Sequence, residues 1–188
     1  IEDWNPYVWG PSGCGKTYMI KQAANLIGIR FFDIGRINEP YEILGAGTIT
    51  GGYTRPPFFQ GDAGGGIVFA DEIDASSPMA TLTFNHFTSN TYYIFPYYGK
   101  AERHSNFRFV AAGNTRGSGA DSDYMRERID ASLQQRLTPM EFTYDPQVER
   151  AIFSEKYSEW FEFSQLFRLV TDEWGEENGR EAPGPFTT

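Results

Sequence analysis

The sequence predicts an α/β domain with a parallel β-sheet. Short apolar runs alternate along the chain with segments of helical length, which is the arrangement of strands and crossover helices in such a sheet. The run at residues 66–70 (Gly-Ile-Val-Phe-Ala) is too apolar and too short for most other structures, and it is typical of a strand buried on both faces. A glycine-rich turn joins the first predicted strand to the first predicted helix.

The individual elements follow from the apolar runs and from the residues that begin and end helices. Gly28 ends the first helix because glycine readily adopts the left-handed conformation found after helices. Pro78 begins the second helix, where its missing N–H has no cost. The predicted strands are residues 7–9, 30–34, 66–70, 107–112 and 138–143, and the predicted helices are residues 16–27 and 78–88.

Two segments, residues 45–66 and 92–107, interrupt this alternation. The first is rich in glycine and the second is aromatic and then charged, so both are expected to be hairpin or loop insertions on a compact core. Ordered loops of that length usually have a function. From residue 145 the chain becomes helical and charged, so we expect a core at residues 1–144 and a separate helical segment at residues 145–188.

Composition argues against several classes of protein. The 188 residues include 16 Lys and Arg against 25 Asp and Glu, and this net charge of −9 disfavours a general nucleic-acid binder. The single cysteine leaves no internal disulfide and suits a reducing compartment, so we expect a cytoplasmic protein. No stretch approaches the roughly 20 apolar residues of a membrane span, and the chain does not open on a recognisable signal peptide.

The turn after the first strand carries the strongest motif. It matches G-x-x-x-x-G-K-[ST], a loop that holds nucleotide phosphates. Its glycines let the backbone approach a phosphate closely, and backbone N–H groups at the positive end of the helix attract the anion. Lys16 is predicted to reach the β- and γ-phosphates, and the Thr17 hydroxyl to bind Mg²⁺. The candidate nucleotide-binding residues are Gly10, Pro11, Ser12, Gly13, Cys14, Gly15, Lys16, Thr17 and Tyr18.

Cys14 also allows a redox or nucleophilic interpretation, because a helix N-terminus can activate a nearby thiol. The chain has no second cysteine, and the motif leaves this position unconstrained. We therefore interpret Cys14 as a small loop residue.

A second, acidic motif ends the most apolar strand. Asp71 and Glu72 follow the run at residues 67–70, and the carboxyl end of a parallel strand is where α/β sheets bind ligands. Asp71 is predicted to hold Mg²⁺ through its water shell, and Glu72 to orient and deprotonate the attacking water. Asp74 is expected to be a local capping or surface group without a catalytic role.

The paired acids discriminate among nucleotide enzymes. A small-molecule kinase uses its second substrate as the nucleophile and has less use for a base aimed at water. A guanine-specific switch usually carries an Asn-Lys-x-Asp motif, which this sequence lacks. Both points favour hydrolysis of Mg·ATP.

With these motifs the sequence resembles the AAA+ ATPases, in particular the MoxR-like group that includes the ATPase subunit of cobalt chelatase. The resemblance extends from about Val8 to Asp145, and its strongest parts are residues 10–17 (Walker A) and 67–74 (Walker B, Ile-Val-Phe-Ala-Asp-Glu-Ile-Asp). Residues 109–115 resemble the strand that ends in the sensor-1 Asn of the family. Residues 130–137 resemble a segment that ends in an Arg-Phe pair, with Leu137 in place of Phe.

The resemblance implies roles for two further residues. Asn114 would position the lytic water and sense the γ-phosphate. Arg136 would be the arginine finger that reaches ATP held by a neighbouring subunit, with Arg126 and Arg128 as nearby competitors. The candidate catalytic residues are therefore Lys16, Glu72, Asn114 and Arg136, and the candidate metal ligands are Thr17 and Asp71.

The resemblance also implies an architecture. The family fold is a three-layer P-loop NTPase sandwich with a five-stranded parallel sheet, followed by a small helical lid, which we expect to be partial in residues 145–188. The lid normally offers another arginine to the nucleotide, and Arg150, Arg168 and Arg180 are available for this role.

An assembly is implied as well, namely a homo-oligomeric ring that we expect to be a hexamer. Inserted hairpins at residues 45–55 and 92–106 would point into its pore, with Ile49, Tyr53 and Lys100 as candidates to contact a protein client. The aromatic residues from 92 to 98 can equally pack on the core. A near-helical apolar spacing predicts a lid or packing face, which would be a subunit contact if exposed, at Trp160, Phe161, Phe163, Leu166, Phe167 and Val170.

The main hypothesis is an ATP-hydrolysing module that remodels a protein partner as part of a ring. Two alternatives remain open. One is a nucleic-acid motor, which the acidic composition disfavours, and the other is a nucleotide-dependent assembly scaffold that does not hydrolyse ATP.

Overall fold

The computed structural model describes residues 4–54, 65–96, 99–117, 128–152 and 158–178. The strands are β1 (Pro6–Trp9), β2 (Phe31–Asp33), β3 (Ile67–Ala70), β4 (Tyr92–Phe95), β5 (Gly99–Glu102), β6 (Arg108–Gly113) and β7 (Thr138–Glu141). The helices are α1 (Lys16–Leu26), α2 (Tyr41–Leu44), α3 (Pro78–Thr81), α4 (Phe84–Ser89), α5 (Ala131–Gln134), α6 (Pro146–Ile152) and α7 (Ser158–Asn178). A short 3-10 helix, Ile73–Ala75, follows β3.

Five of the described strands form one sheet in the order β2-β3-β6-β1-β7. All four strand pairs are parallel; Val8 of β1, for example, lies opposite Ala112 of β6 and Met140 of β7. The predicted five-stranded parallel sheet is confirmed, as is the P-loop NTPase class of fold. Each predicted strand lies within about two residues of its expected bounds.

The sheet is covered on both faces because successive residues of a strand point to opposite sides. On one face the strands pack against α1, through Val8, Phe69, Val110, Ile20 and Ala24. On the other face they pack against α4 and the β4–β5 hairpin, through Tyr7, Val68, Phe109, Phe84 and Phe95. Full burial of one such aliphatic or aromatic side chain stabilises the fold by about 1.5–3 kcal/mol, so these two clusters hold the three layers together.

The predicted single helix at residues 78–88 is wrong, because the structure divides it into α3 and α4. At the division the Thr83 N–H donates to the Ala80 carbonyl at 3.1 Å, and the His86 N–H donates to the Thr83 carbonyl at 3.2 Å. These three-residue spacings are tighter than those of an α-helix. The Thr81 hydroxyl also bonds back to the Pro78 carbonyl at 2.9 Å, as threonine does where it competes with the regular helical pattern.

Both interrupting segments contain hairpins within the part of the chain that is described. In the first, Gly47 and Tyr53 form an antiparallel bridge. In the second, β4 and β5 pair antiparallel, with Tyr93 and Phe95 buried and Ile94 exposed. The prediction that aromatic residues here pack on the core is confirmed for Tyr93, whose ring stacks on Phe87 with 4.4 Å between centroids.

Beyond β7, the described residues form α6 and α7. None of the described helices is both long enough and apolar enough to cross a membrane.

Candidate functional site

Residues 10–15 turn the chain from the end of β1 into α1. Gly10 passes so close to the residue after β7 that a Cβ on it would lie 1.8 Å from the Phe142 carbonyl oxygen. Gly13 and Gly15 have φ values of 76° and 92°, in the left-handed region that glycine adopts readily. The three glycines thus permit a loop conformation that larger residues would distort.

The helix that follows this loop begins with an uncompensated positive end. α1 spans 11 residues, has no acidic residue in its first turn and receives no side-chain cap from the described residues. The Met19 N–H donates to the Gly15 carbonyl at 2.9 Å, which closes the first turn. The N–H groups of that turn and the helix dipole favour an anion beside the loop.

The ammonium group of Lys16 is held inside the loop, and the residue is only 7% exposed. Its Nζ donates to the carbonyl oxygens of Gly10 and Pro11, both at 2.8 Å, and to Oδ1 of Asn114 at 3.0 Å. A fourth, longer contact joins Nζ to Cys14 Sγ at 3.8 Å, and none of the four partners is a carboxylate. A phosphate oxygen can therefore replace any of them without breaking an ion pair.

Thr17 and Asp71 form an oxygen pair next to the loop. Thr17 Oγ1 donates to Oδ2 of Asp71 at 2.6 Å, and Oδ1 of Asp71 accepts from the Glu72 N–H at 2.9 Å. A hydroxyl and a carboxylate are ligands that Mg²⁺ prefers, and this ion usually takes its other ligands from water and substrate phosphates. The two predicted metal ligands, which are 54 positions apart in the chain, are thus in contact.

Glu72 is the one non-glycine residue of the described chain with a positive φ, 49°. Its ψ of 41° places it in the left-handed helical region, and its side chain is exposed at the end of β3. Non-glycine residues in that region are strained and tend to occur at functional sites. The conformation turns the chain from β3 into the 3-10 helix and leaves the carboxylate on the surface beside Asp71.

Asn114 follows β6 directly and reaches the loop through its bond to Lys16. Its backbone is fixed by Asp74, which is 0% exposed. Asp74 Oδ2 accepts from the N–H groups of Asn114 and Thr115, both at 3.0 Å. The expectation that Asp74 is a local or surface group is therefore wrong. Its partners are 40 and 41 positions away in the chain, so the local pattern around Asp74 contained no signal for them.

Arg136 is not brought to the other candidate residues. Its carbonyl accepts from the Asn5 side chain at 3.2 Å, just before β1 begins, whereas Lys16 follows the end of β1. Its guanidinium donates to Ser89 Oγ and to the Ser132 carbonyl. Arg136 thus lies at the edge of the sheet where β1 and β7 begin, opposite the phosphate loop.

Of the two arginines that compete with Arg136 for the finger role, Arg128 lies in the described part of the chain. Arg128 lines a cavity of about 510 Å³ together with Arg116 and Tyr7. Arg126 lies outside the described residues.

The helices after β7 contact the loop through Tyr144, a residue that the motif analysis missed. Its hydroxyl donates to the Ser12 carbonyl at 2.5 Å, and the Arg168 guanidinium lies over its ring, 3.8 Å from the centroid. Of the candidate lid arginines, Arg168 therefore adjoins a residue that touches the loop. Arg150 lies over the Phe161 ring, 5.2 Å from the centroid, and Arg180 is outside the described residues.

Tyr18, which was predicted to bind nucleotide, and two of the three predicted client-contact residues are at the surface. Tyr18 is 65% exposed and Ile49, at the tip of the first hairpin, is fully exposed. Lys100 is also exposed and pairs with Glu102 at 2.6 Å. Tyr53 instead closes its own loop by donating to the Leu44 carbonyl.

The apolar face predicted on the last helix is divided. Phe161 is buried, at 5% exposed. The other side of α7 presents an exposed apolar surface, which we call the α7 face, made of Trp160, Phe163, Leu166, Phe167 and Val170.

Comparison with known proteins places this geometry in a family. Residues 7–137, more than half of the chain, match the AAA domain of the dynein-related subfamily. No curated protein matches the sequence. Among solved structures, NtrX from Brucella abortus is similar with a TM-score of 0.55 at 16% identity, over 74% of this chain and 32% of that one. A proposed ATPase from Cytophaga hutchinsonii is similar with a TM-score of 0.62 at 15% identity, over 80% of this chain and 45% of that one.

This chain spans less than half the length of either structure, and at such identities the likeness supports the fold alone. The family match contains the phosphate loop, the acidic pair, Asn114 and Arg136. The chain therefore belongs to the dynein-related subfamily of AAA domains, a family of nucleotide-dependent ATPases.

Proposed function

We propose that this chain binds Mg·ATP at the phosphate loop and hydrolyses it. The observation that carries the proposal is the meeting of Lys16, the Thr17–Asp71 pair and Asn114 at the carboxyl ends of β1, β3 and β6. The carboxyl edge of a parallel sheet is where α/β folds bind ligands. Here that edge also carries a helix N-terminus that no described side chain caps and a buried ammonium group, which are complementary to a polyphosphate.

The chain's own groups account for binding. Lys16 would exchange loop carbonyls for phosphate oxygens, and the N–H groups of the loop and of α1 would donate to the same anion. Thr17 and Asp71 would hold Mg²⁺, which neutralises phosphate charge when bound. The three glycines allow the loop its close approach to Phe142 and its positive φ values at Gly13 and Gly15.

Hydrolysis requires a group that activates water. Glu72 supplies an exposed carboxylate next to Asp71 and would accept the proton of the attacking water. Asn114 would orient that water from the end of β6. A base aimed at water favours hydrolysis over transfer to a second substrate.

We further propose that the chain acts in a ring of identical subunits, as a hexamer of MoxR-like type in the cytoplasm that remodels a protein client. Arg136 supports this proposal because it lies at the edge of the sheet opposite its own loop, and so could serve only a neighbour's nucleotide. The exposed hairpin tip at Ile49 offers a surface for the client, and the α7 face offers a surface for an adjacent subunit.

The test is Mg²⁺-dependent phosphate release from ATP by the wild type, by Glu72→Gln and by Glu39→Gln, a control at an exposed glutamate just before α2. We expect Glu72→Gln to lower kcat by about 10²–10⁴-fold, the usual contribution of general base catalysis. The control should match the wild type. If Glu72→Gln hydrolysed ATP as fast as the wild type, Glu72 would not be the general base. If the wild type assembled in the presence of ATP but did not hydrolyse it, the scaffold alternative would be favoured.

A further inference from the structure

The acidic residue three positions after Asp71 is the buried group that the proposed mechanism does not yet use. Asp74 lies in the 3-10 helix after β3 and is 0% exposed. Burying a carboxylate is expensive unless hydrogen bonds compensate for the lost water. Its partners therefore indicate what the residue is for.

Those partners belong to the segment that follows β6. A single oxygen of Asp74, Oδ2, accepts from the Asn114 N–H, the Thr115 N–H and the Thr115 hydroxyl, each at 3.0 Å. Hydrogen bonds to an ionised acceptor are stronger than those between neutral groups. Three of them at one oxygen fix both the position and the direction of the chain as it leaves β6.

The approach of these two segments is also close. A Cβ on Gly113 would lie 3.0 Å from Cγ of Asp74 and 2.3 Å from the Tyr7 hydroxyl oxygen. From the other side, that hydroxyl donates to the Thr115 carbonyl at 2.5 Å. Residues 113–115 are thus held between Asp74 and Tyr7, and the Asn114 side chain is directed to Nζ of Lys16 at 3.0 Å.

We propose that Asp74 is a positioning residue that ties the end of β6 to the turn after β3, and so sets Asn114 relative to the acidic pair and the loop. This inference rests on the proposed ATPase function and concerns the geometry of its water-orienting residue. Asp74 acts only through Asn114, so its loss should lower the rate of the chemical step and leave nucleotide binding intact.

The first measurement separates binding from turnover in Asp74→Asn. Misplacing a positioned group by about 1 Å can lower a rate by about 100-fold. We expect kcat to fall by about 10- to 100-fold, while the Kd for Mg·ATP stays within about twofold of the wild type. Asp33→Asn is the matched control, because Asp33 ends the neighbouring strand β2, is exposed, and accepts a hydrogen bond from the Gly35 N–H at 2.9 Å.

The second measurement is a double-mutant cycle with Asn114→Ala. If Asp74 acts through Asn114, then Asp74→Asn should change kcat by less than about twofold in the Asn114→Ala background, because coupled residues are not additive. Additive losses, or a loss of binding that equals the loss of turnover, would overturn the inference and leave the ATPase proposal standing. If the wild type did not hydrolyse ATP, both the ATPase proposal and the positioning role of Asp74 would be wrong.

A third variant covers the case in which Asp74→Asn does not fold. Thr115→Val removes one of the three donors to Asp74 and keeps the side-chain shape, whereas Thr115→Ser keeps the hydroxyl. We expect Thr115→Val to lower kcat with an unchanged Kd and Thr115→Ser to restore it. Equal kcat in the two variants would contradict the positioning role.

Discussion

Glu72 places the proposed base on a strained backbone. Its φ of 49° lies in a region that disfavours residues with a Cβ by roughly 1–2 kcal/mol. Two local hydrogen bonds stabilise this strained conformation. The Glu72 N–H donates to Asp71, and the Glu72 carbonyl accepts from the Ala75 N–H, both at 2.9 Å. The residue thus combines exposure of its carboxylate with a fixed position beside the metal ligand.

A comparison of Glu72→Gly with Glu72→Ala measures this strain. Both variants lose the carboxylate, but only glycine relieves the left-handed conformation, so Glu72→Gly should be more stable by about 1 kcal/mol in urea unfolding. The control is the same pair at Gln22, an exposed position within α1, where alanine should be the more stable by about 1 kcal/mol. If Glu72→Ala were instead more stable than Glu72→Gly, the left-handed conformation assigned to Glu72 would be wrong.

At this scale the residues predicted from sequence were those with a short local pattern. Gly10 to Thr17 and the pair Asp71–Glu72 each form one continuous motif, so their chemistry could be read before their positions were known. Asp74 and Tyr144 could not be found in this way. Their partners, Asn114 and Ser12, are 40 and 132 positions distant, and only the parallel sheet brings them together.

At the level of elements, the helices after β7 are joined to the loop by a small polar cluster. Arg168 of α7 lies over the Tyr144 ring and donates to Glu149 Oε2 of α6 at 2.6 Å. Gln165 donates to the same oxygen at 2.7 Å. Burial acts to raise the pKa of the Glu149 carboxyl, but the hydrogen bonds from Arg168 and Gln165 outweigh it and hold the pKa below its usual value.

This cluster predicts a pH-dependent contribution to stability. A depressed pKa in the folded state means that ionised Glu149 stabilises the fold above its unfolded pKa of about 4.3, and that this contribution is lost as the pH falls through the lower folded pKa. Glu149→Gln should therefore lower the unfolding free energy by about 1–2 kcal/mol at pH 7. The difference from the wild type should shrink below about pH 4.

Urea unfolding between pH 7 and pH 3 measures this difference. Glu159→Gln, an exposed change in the following helix α7, is the control and should alter the unfolding free energy by less than about 0.5 kcal/mol at any pH. A Glu149→Gln difference that stayed constant with pH would show that the ion pair contributes nothing.

The elements themselves were predictable where the hydrophobic pattern was strong. The strands β1, β3 and β6 are continuous apolar runs because both of their faces are buried, and the sequence locates all three. The division between α3 and α4 depends instead on backbone bonds at Thr83 and a hydroxyl contact at Thr81, which do not alter the apolar periodicity. Order within the sheet was not predicted, because strand pairing is decided by contacts far apart in the chain.

On the scale of the whole molecule, the candidate catalytic residues divide between two edges of the sheet. Lys16, Glu72 and Asn114 lie where the strands end, whereas Arg136 lies where β1 and β7 begin. If Arg136 is the finger, as the proposed mechanism has it, the complete site needs a second copy of the chain.

Mixing two inactive variants tests this division. Glu72→Gln keeps the finger and loses the base, while Arg136→Ala does the reverse. Each should be nearly inactive alone, and an equimolar mixture should regain activity at about one site in four if subunits of a ring mix at random. If Arg136→Ala kept its activity, or if the mixture were no more active than the two variants alone, Arg136 would not be the arginine finger.

Calorimetric titration of Mg·ATP into the protein measures whether the loop at residues 10–17 binds the nucleotide. We expect saturable binding to the wild type and to Lys21→Ala, a control at an exposed lysine of α1. Lys16→Ala should bind at least about tenfold more weakly, a loss of about 1.4 kcal/mol. Absence of binding to the wild type, or equal affinity in Lys16→Ala, would contradict the account.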